Sequence, residues 1–436
     1  METLFLAHRI PFPPDRGDKI RSWHILKHLA MLGRVHLACF ADDEADAAHL
    51  PALRDALGGA LGEAHVQIRR TGKATAAGRA LLEGKPVSLT MFDSAELRRF
   101  VTSMLGGAVD TVFAFSGQMA QFVPERLRQR FVMDFVDMDS AKFAAYADAG
   151  GPLAVIHRRE AKRLFAFERA VAVRADASLF VSEAEAALFR ARAGLPHADI
   201  RALANGVDLD FYRPGIVPAA EAPRPLVVFT GRMDYAPNID AVTWFAAEVM
   251  PRLSATFAIV GRNPTDAVRR LASDRVTVTG AVPDVRCWLE AADVVVAPLR
   301  IARGIQNKVL EAMAMGRPVV ATPAAFEGIE AEPRRDVLVA EGADAQAEAV
   351  AALLADPARA AALGAAGRRR MEEGYRWDVR LAPLAALCLP AREAGGEGDH
   401  PKGGGGVFAT RLGKDPSTSV AGPPPHLAMG RHGQAA

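Results

Sequence analysis

The segment from Arg303 to Val320 places Lys308 and Glu311 three residues apart, after the apolar run Asp293-Val294-Val295-Val296-Ala297-Pro298 and before Gly316-Arg317-Pro318. Three-residue spacing sets both side chains on one face of a helix. The expected local order is a strand, a short loop, a helix stopped by Gly316 and a new strand from Pro318. Beyond the carboxyl end of a strand, the free N–H groups of a helix start point at anions. A cation there suits a diphosphate, and a carboxylate one turn deeper suits a sugar diol. An ordinary helix-surface ion pair has the same spacing and is worth only about 0.3–0.5 kcal/mol. Here the neighbours are Val, Leu, Ala and Met, the composition of a buried helix, where two charges need a reason. The pattern is that of a grip on a nucleotide sugar.

Four other places could carry chemistry. Gly231-Arg232-Met233-Asp234-Tyr235-Ala236-Pro237-Asn238 follows an apolar run; a glycine lets backbone approach a ligand, and Arg232 can fork onto phosphate oxygens or simply serve a surface turn. Arg9 to Arg21 reads as a long loop into a helix, with Gly17 and Asp18 at an acceptor-side cleft and Arg21 catching an anion; an ordinary helix-lead loop is the alternative. Asp134-Phe135-Val136-Asp137-Met138-Asp139-Ser140 ends a strand. Its Asp-x-Asp spacing is a weak metal signal, Asp139-Ser140 also suits a helix cap, and Asp137 is the better candidate for a carboxylate facing the cleft. No metal is expected. His8 is more often a packed histidine than a base.

The elements that must hold these residues alternate. Strands are expected at Leu4–Ala7, Val35–Phe40, His65–Ile68, Thr111–Phe115, Phe131–Val136 and Ala177–Val181, with a further strand ending at Ala204-Asn205-Gly206-Val207-Asp208. Helices such as Lys19–Leu32, Ser94–Leu105 and Leu153–Arg174 lie between them. This alternation implies a doubly wound parallel sheet. The proline-rich stretch Arg213–Pro225 reads as a linker. A second series follows: strand Leu226–Thr230, helix Ile239–Met250, strands Phe257–Val260 and Val276–Thr279, helix Val285–Ala291 and strand Val294–Ala297. Two such domains leave a cleft, a favoured place for a ligand. From about Ala391, glycine and proline runs read as a disordered tail.

The bulk numbers agree. The chain has 436 residues, enough for about two or three domains. Its net charge of +2 gives no reason to expect a nucleic-acid partner. Three scattered cysteines make neither a disulfide framework nor a metal set. The amino terminus lacks the pattern of a signal peptide, and no window is long and apolar enough for a membrane span. A cytoplasmic protein is expected. The basic run His157-Arg158-Arg159, Lys162-Arg163, Arg169 and Arg174 fits either a solvated helix face, the commoner case, or peripheral contact with the inner membrane surface.

Taken together, these motifs resemble the retaining glycosyltransferases of family 4, of GT-B fold, and especially the bacterial sugar transferases associated with exopolysaccharide and PEP-CTERM clusters. The carriers are the Gly17 loop, Asp134 to Ser140, Asn205-Gly206-Val207-Asp208, Gly231 to Tyr235, and Asn307 to Val320, spread over about residues 1–388. The resemblance implies an α/β fold of two Rossmann-like domains facing each other across a cleft. It sets an acceptor-side domain at 1–205, a nucleotide-sugar domain at 206–374, a helix crossing back at 375–390 and the tail at 391–436. It implies Glu311 at the ribose hydroxyls and Arg232 at the diphosphate. The family's earlier glutamate, which reaches the transferred sugar, falls on Arg303, and its usual second cation falls on Asn238; Lys308 is positioned in sequence to replace that charge. The donor-binding set is then Gly231, Arg303, Gly304, Ile305, Asn307, Glu311, Asn205 and Glu327, with Arg232, Lys308 and Asp137 as catalytic groups.

The resulting expectation is a metal-independent transferase, without a cofactor, that moves a sugar from a nucleoside diphosphate to a hydroxyl of a glycan or lipid-linked acceptor. A nucleotide-sugar epimerase and a non-catalytic sugar-nucleotide-binding protein are the competing readings. A nicotinamide dehydrogenase is disfavoured, because no Gly-x-Gly-x-x-Gly follows the first strand of either domain.

Overall fold

The computed structural model describes residues 1–302 and 304–389; Arg303 and the tail from residue 390, with the expectations attached to them, lie outside the described residues. Strands β1 Glu2–Ala7, β2 Arg34–Ala41, β3 Leu61–Ile68, β4 Thr111–Phe115, β5 Arg130–Val136, β6 Ala177–Phe180 and β7 Ile200–Ala202 form one sheet, ordered β3-β2-β1-β4-β5-β6-β7. Strands β8 Leu226–Thr230, β9 Thr256–Val260, β10 Val276–Gly280, β11 Val294–Ala297, β12 Val319–Ala321 and β13 Leu338–Val339 form the other, ordered β10-β9-β8-β11-β12-β13. The pairings in both sheets are parallel. Runs such as Val294-Val295-Val296-Ala297 are apolar on both faces, as central strands covered by helices must be. In each sheet the winding reverses beside the first strand, β1 or β8, and crevices for ligands open at such a point.

The two carboxyl edges meet through the loops that follow their strands. Arg262, after β9, donates to the carboxylate of Asp15, after β1, at 3.1 Å. Gly328 of the second domain lies against Ser182, which follows β6: a Cβ added to it would sit 3.6 Å from the Ser182 Cβ. The last helices, Trp377–Leu381 and Pro383–Cys388, return to the first domain. Trp377, Leu381, Leu384, Leu387 and Cys388 share a core with Phe5, Ile25, Leu37 and Phe113. Thr111 Oγ1 donates to the Cys388 carbonyl at 2.7 Å, and His24 stacks on Trp377 at 4.4 Å.

Three expectations need correction. The stretch Arg213–Pro225 is not a free linker. Ala220 N–H donates to the Cys287 carbonyl at 2.8 Å, and Val217, Ala220 and Ala222 cover the second core, so it forms an ordered strap. The helix expected from Ile239 begins at Ala236, because Pro237 sits in the first turn, where its missing N–H has no helical partner to lose. It widens into a π-helical turn at Phe245–Val249 before Pro251. Strand β3 starts at Leu61, four residues before the expected His65.

Gly206 is where the returning segment comes closest: an added Cβ would sit 2.8 Å from Trp377 Cα and 2.9 Å from its ring. Gly206→Ala is expected to lower stability by about 1–3 kcal/mol, the scale of overpacking. Gly59→Ala, with nothing within 4 Å of its added Cβ, should change it by less than about 0.5 kcal/mol. Urea unfolding midpoints of the two variants check this.

Candidate active site

The second-domain wall is built around Lys308. It lies in the first turns of the helix Asn307–Ala314, beyond β11. Its ammonium donates to Asn238 Oδ1 at 2.6 Å and sits 4.3 Å from the centre of the Phe229 ring. Burial pushes this lysine down to about 7, and the nearby Glu311 carboxylate offsets only part of that effect. Asn238 turns its other amide group outward: Nδ2 donates to the Arg232 carbonyl at 2.8 Å. A Cβ on Gly231 would lie 2.8 Å from that Nδ2 and 3.3 Å from Lys308 Nζ, so no larger residue leaves the lysine its place. Lys308 and the Arg232 backbone therefore share one amide side chain. The Arg232 guanidinium is half-exposed and forks onto Asp234 at 3.1 and 2.7 Å. Its charge also feels Asp18 and Arg9 of the first domain, which places it toward the opposite wall.

Glu311 lies one turn behind Lys308. Burial pushes its carboxyl up; a hydrogen bond with the Tyr212 phenol and the charge of Lys308 work against that push. Gly304, with φ of 70°, turns the loop ahead of the helix in a left-handed conformation that a side chain would strain. A Cβ there would also lie 3.4 Å from Asp137 Oδ1. The Ile305 side chain belongs to the second core, so only its backbone can face a ligand. Glu327 is exposed at the end of the short helix Pro323–Phe326.

On the first-domain wall, Asp137 follows β5 through a strained turn. Val136 has φ of 70°, a value that a β-branched residue rarely adopts, and Asp137 N–H closes back on the Phe135 carbonyl at 3.0 Å. Burial raises the Asp137 carboxyl to about 6, with repulsion from Glu185 and Asp139 adding to the shift. Strain and desolvation concentrated at a strand end mark a site. Asp18 accepts from Arg9 at 2.6 Å and contacts His8 Nε2 at 3.1 Å. Burial opposes its charge, yet His8 and Arg9 hold its carboxyl well below the usual range.

Arg21 is a correction. It does not reach out for an anion: its side chain is fully buried, donating to Asp134 Oδ2 at 2.9 Å and to Asn205 Oδ1 at 2.8 Å. Asn205 in turn donates to Asn307 Oδ1 at 3.2 Å, and a Cβ on Gly17 would lie 3.8 Å from Asn307 Nδ2. Arg21, Asn205, Asn307 and Gly17 therefore form the polar seam between the domains.

Sequence reasoning missed two contributors. Tyr212 lies just ahead of the strap and meets Glu311 only through the fold. Phe229 is an unremarked strand residue whose ring faces Lys308. Among the described residues no group of three metal-ligating side chains is assembled.

Residues 224–356, the segment that carries Arg232, Lys308 and Glu311, match the family described as Glycosyl transferases group 1. The chain is 34% identical over 236 residues to a GDP-mannose-dependent alpha-(1-6)-phosphatidylinositol monomannoside mannosyltransferase of Mycobacterium tuberculosis, covering 48% of this chain and 60% of that protein. It is 31% identical over 312 residues to a D-inositol 3-phosphate glycosyltransferase of Xylanimonas cellulosilytica, covering 65% of this chain and 72% of that one. In structure it is similar to sucrose-phosphate synthase of Thermosynechococcus elongatus, with a TM-score of 0.67 at 20% identity over 89% of this chain and 98% of that chain. Anabaena HepE, solved with UDP, aligns with a TM-score of 0.60 at 18% identity over 88% of this chain and 99% of that chain. The fold is GT-B, and the chain belongs to the group 1 glycosyltransferase family. Its match to the mycobacterial mannosyltransferase spans three-fifths of that relative's length.

A diphosphate beside Lys308 would favour the charged ammonium and raise its pKa above the free value near 7. Binding of a nucleotide sugar should therefore take up a proton. Affinity should be level below pH 7 and fall as the pH rises from there through the raised pKa of the complex. Titration calorimetry in two buffers of different ionisation enthalpy should show the uptake in the wild type and none in Lys308→Met.

Proposed function

We propose that this protein transfers a sugar from a nucleoside diphosphate donor to a hydroxyl of a growing glycan or lipid-linked acceptor, with retention at the anomeric carbon and without a metal. The observation that carries this reading is the meeting of Lys308, Arg232 and Gly231 around one amide, Asn238, at the switch point of the second sheet. The amide links the Lys308 ammonium to the backbone of Arg232, whose half-exposed guanidinium is free to turn from Asp234, and such a pair of residues suits a diphosphate. The anomeric carbon–oxygen bond breaks as the acceptor oxygen forms its own bond, and negative charge collects on the departing diphosphate. Fixed cations are worth most where that charge develops. Arg232 leaves its fork with Asp234 to follow the diphosphate, and Lys308, poised near 7, takes full charge beside it. Glu311 holds the ribose hydroxyls, with Tyr212 orienting its carboxylate. Asp137, beside Gly304, contacts the transferred sugar from the first-domain wall. Closing of the walls through Arg262 and Asp15 excludes water that would hydrolyse the donor.

The names of the mycobacterial relatives make GDP-mannose the first donor to test, and the UDP-glucose complex of Anabaena HepE makes that sugar nucleotide the second. A cytoplasmic place at the inner membrane face, in exopolysaccharide or related glycan synthesis, fits a lipid-linked acceptor. Donor turnover without any acceptor would favour an epimerase; donor binding without turnover across a broad acceptor panel would favour a binding protein.

A thermal-shift screen of nucleotide sugars identifies the donor, since a ligand stabilises the folded state by mass action. With that donor, Lys308→Ala and Arg232→Ala should each lower turnover by about two orders of magnitude, the scale of losing one preorganised stabiliser. Wild-type rates in both would refute the assignment.

A further inference from the structure

The helix Ala154–Arg174 extends well past its own sheet. Glu168 accepts from Ser140 N–H at 3.0 Å and pairs with its hydroxyl at 2.5 Å, and Ser140 lies just beyond the carboxyl end of β5. Glu168 therefore marks the level of the sheet's carboxyl edge. The residues from Ala154 to Phe167 precede it and span about 20 Å at 1.5 Å per residue. Because the chain must come back down to β6 at Ala177, this length projects beyond the edge that bears the site. The helix Asp139–Asp148 climbs beside it: His157 packs on Phe143 and Tyr146 with ring centres 6.0 and 5.7 Å apart.

The projecting end is apolar where it faces solvent. Val155 is 75% exposed and Leu82 90%; Leu153, Ile156 and Leu81 are exposed with them. The two sets are neighbours, because the Arg159 guanidinium donates to the carbonyls of Ala80 at 2.7 Å and Lys85 at 3.3 Å. The rim is basic. Arg158, Lys162 and Arg163 are exposed and have no carboxylate partner among the described residues. The one acidic residue of that turn, Glu160, points inward and accepts from Val87 and Ser88 N–H. Glu83, beside Leu82, is paired with Arg79 and Lys85. Single exposed apolar residues need no explanation, but five together beside three unpaired cations do.

We infer that the end of the helix Ala154–Arg174 and the adjoining end of the helix Lys73–Glu83 form a docking surface for an anionic lipid bilayer. Leu82, Val155 and Ile156 enter the headgroup region while Arg158, Lys162 and Arg163 meet lipid phosphates. Among the described residues no single helix is long and apolar enough to cross a membrane, so the contact is peripheral. The surface rests on geometry alone; its meaning for catalysis rests on the transferase reading, since it would hold the acceptor side of the cleft at the membrane.

The test uses the full chain and sedimented vesicles of phosphatidylcholine with about one-third phosphatidylglycerol, against pure phosphatidylcholine. Binding is expected to the anionic vesicles, roughly tenfold weaker to the neutral ones, and weaker again in high salt. The double variants L82E/V155E and R158E/R163E should each lose about tenfold or more in partition while the thermal midpoint and nucleotide-sugar binding stay as in the wild type. Absent binding, equal binding to both vesicle types, or unaltered binding in both variants would overturn the inference and point to a protein partner or a bare face. Vesicle binding in a protein that binds no nucleotide sugar would leave this surface standing and remove the transferase reading.

Discussion

A half-buried lysine ammonium set against an aromatic ring is the constraint around which this site is arranged. Lys308 keeps only one amide oxygen and an aromatic face in exchange for its hydration. Neither neutralises it, and the Glu311 carboxylate one turn away is itself engaged by Tyr212. A charge so placed is unfavourable unless something anionic completes its surroundings. The rest of the wall accommodates the ammonium: Gly231 stays bare so that it has room, and Asn238 ties it to the turn bearing Arg232. The rigid parallel sheets supply the frame, because their carboxyl edges present every one of these groups from a strand end.

The opposite wall uses a different device. There carboxylates lead: Asp137 has Glu185 and Asp139 for neighbours, while Asp18 is held by His8 and Arg9. Asp137 is shifted upward by burial and by Glu185 and Asp139, while Asp18, a short distance along the same edge, is shifted downward by His8 and Arg9. Two acids on one edge thus behave oppositely, one ready to hold a proton near neutrality and one permanently ionised. Separation of that kind is how a single site offers both a donor and an acceptor of hydrogen bonds to a sugar's hydroxyls.

Much of this was legible in the amino acids. Continuous apolar runs at Thr111–Phe115, Leu226–Thr230 and Val294–Ala297 coincide with β4, β8 and β11 end to end, since central parallel strands have only one way to be written. Lys308 and Glu311 stood out because they are charges on an otherwise apolar helix. What could not be read depends on contacts distant in sequence. The Arg213–Pro225 strap looks unstructured by composition, yet its few apolar residues lie on the second core. The two-residue strand β13 is too short for a pattern. Arg21 read as a group that catches an anion because nothing near it in the chain reveals Asp134 and Asn205, more than a hundred residues on.

The return of Trp377 to Cys388 into the first core carries a consequence for how the protein is made. A ribosome releases the first domain's strands early, but the side chains that complete that domain's interior are among the last to emerge. The second domain has all of its strands by Val339, but its core is completed only with Met371 and Tyr375, just ahead of the Trp377 to Cys388 segment that completes the first core. The two interiors are therefore sealed by consecutive stretches of chain, and the first half is not closed before the second's last helices exist.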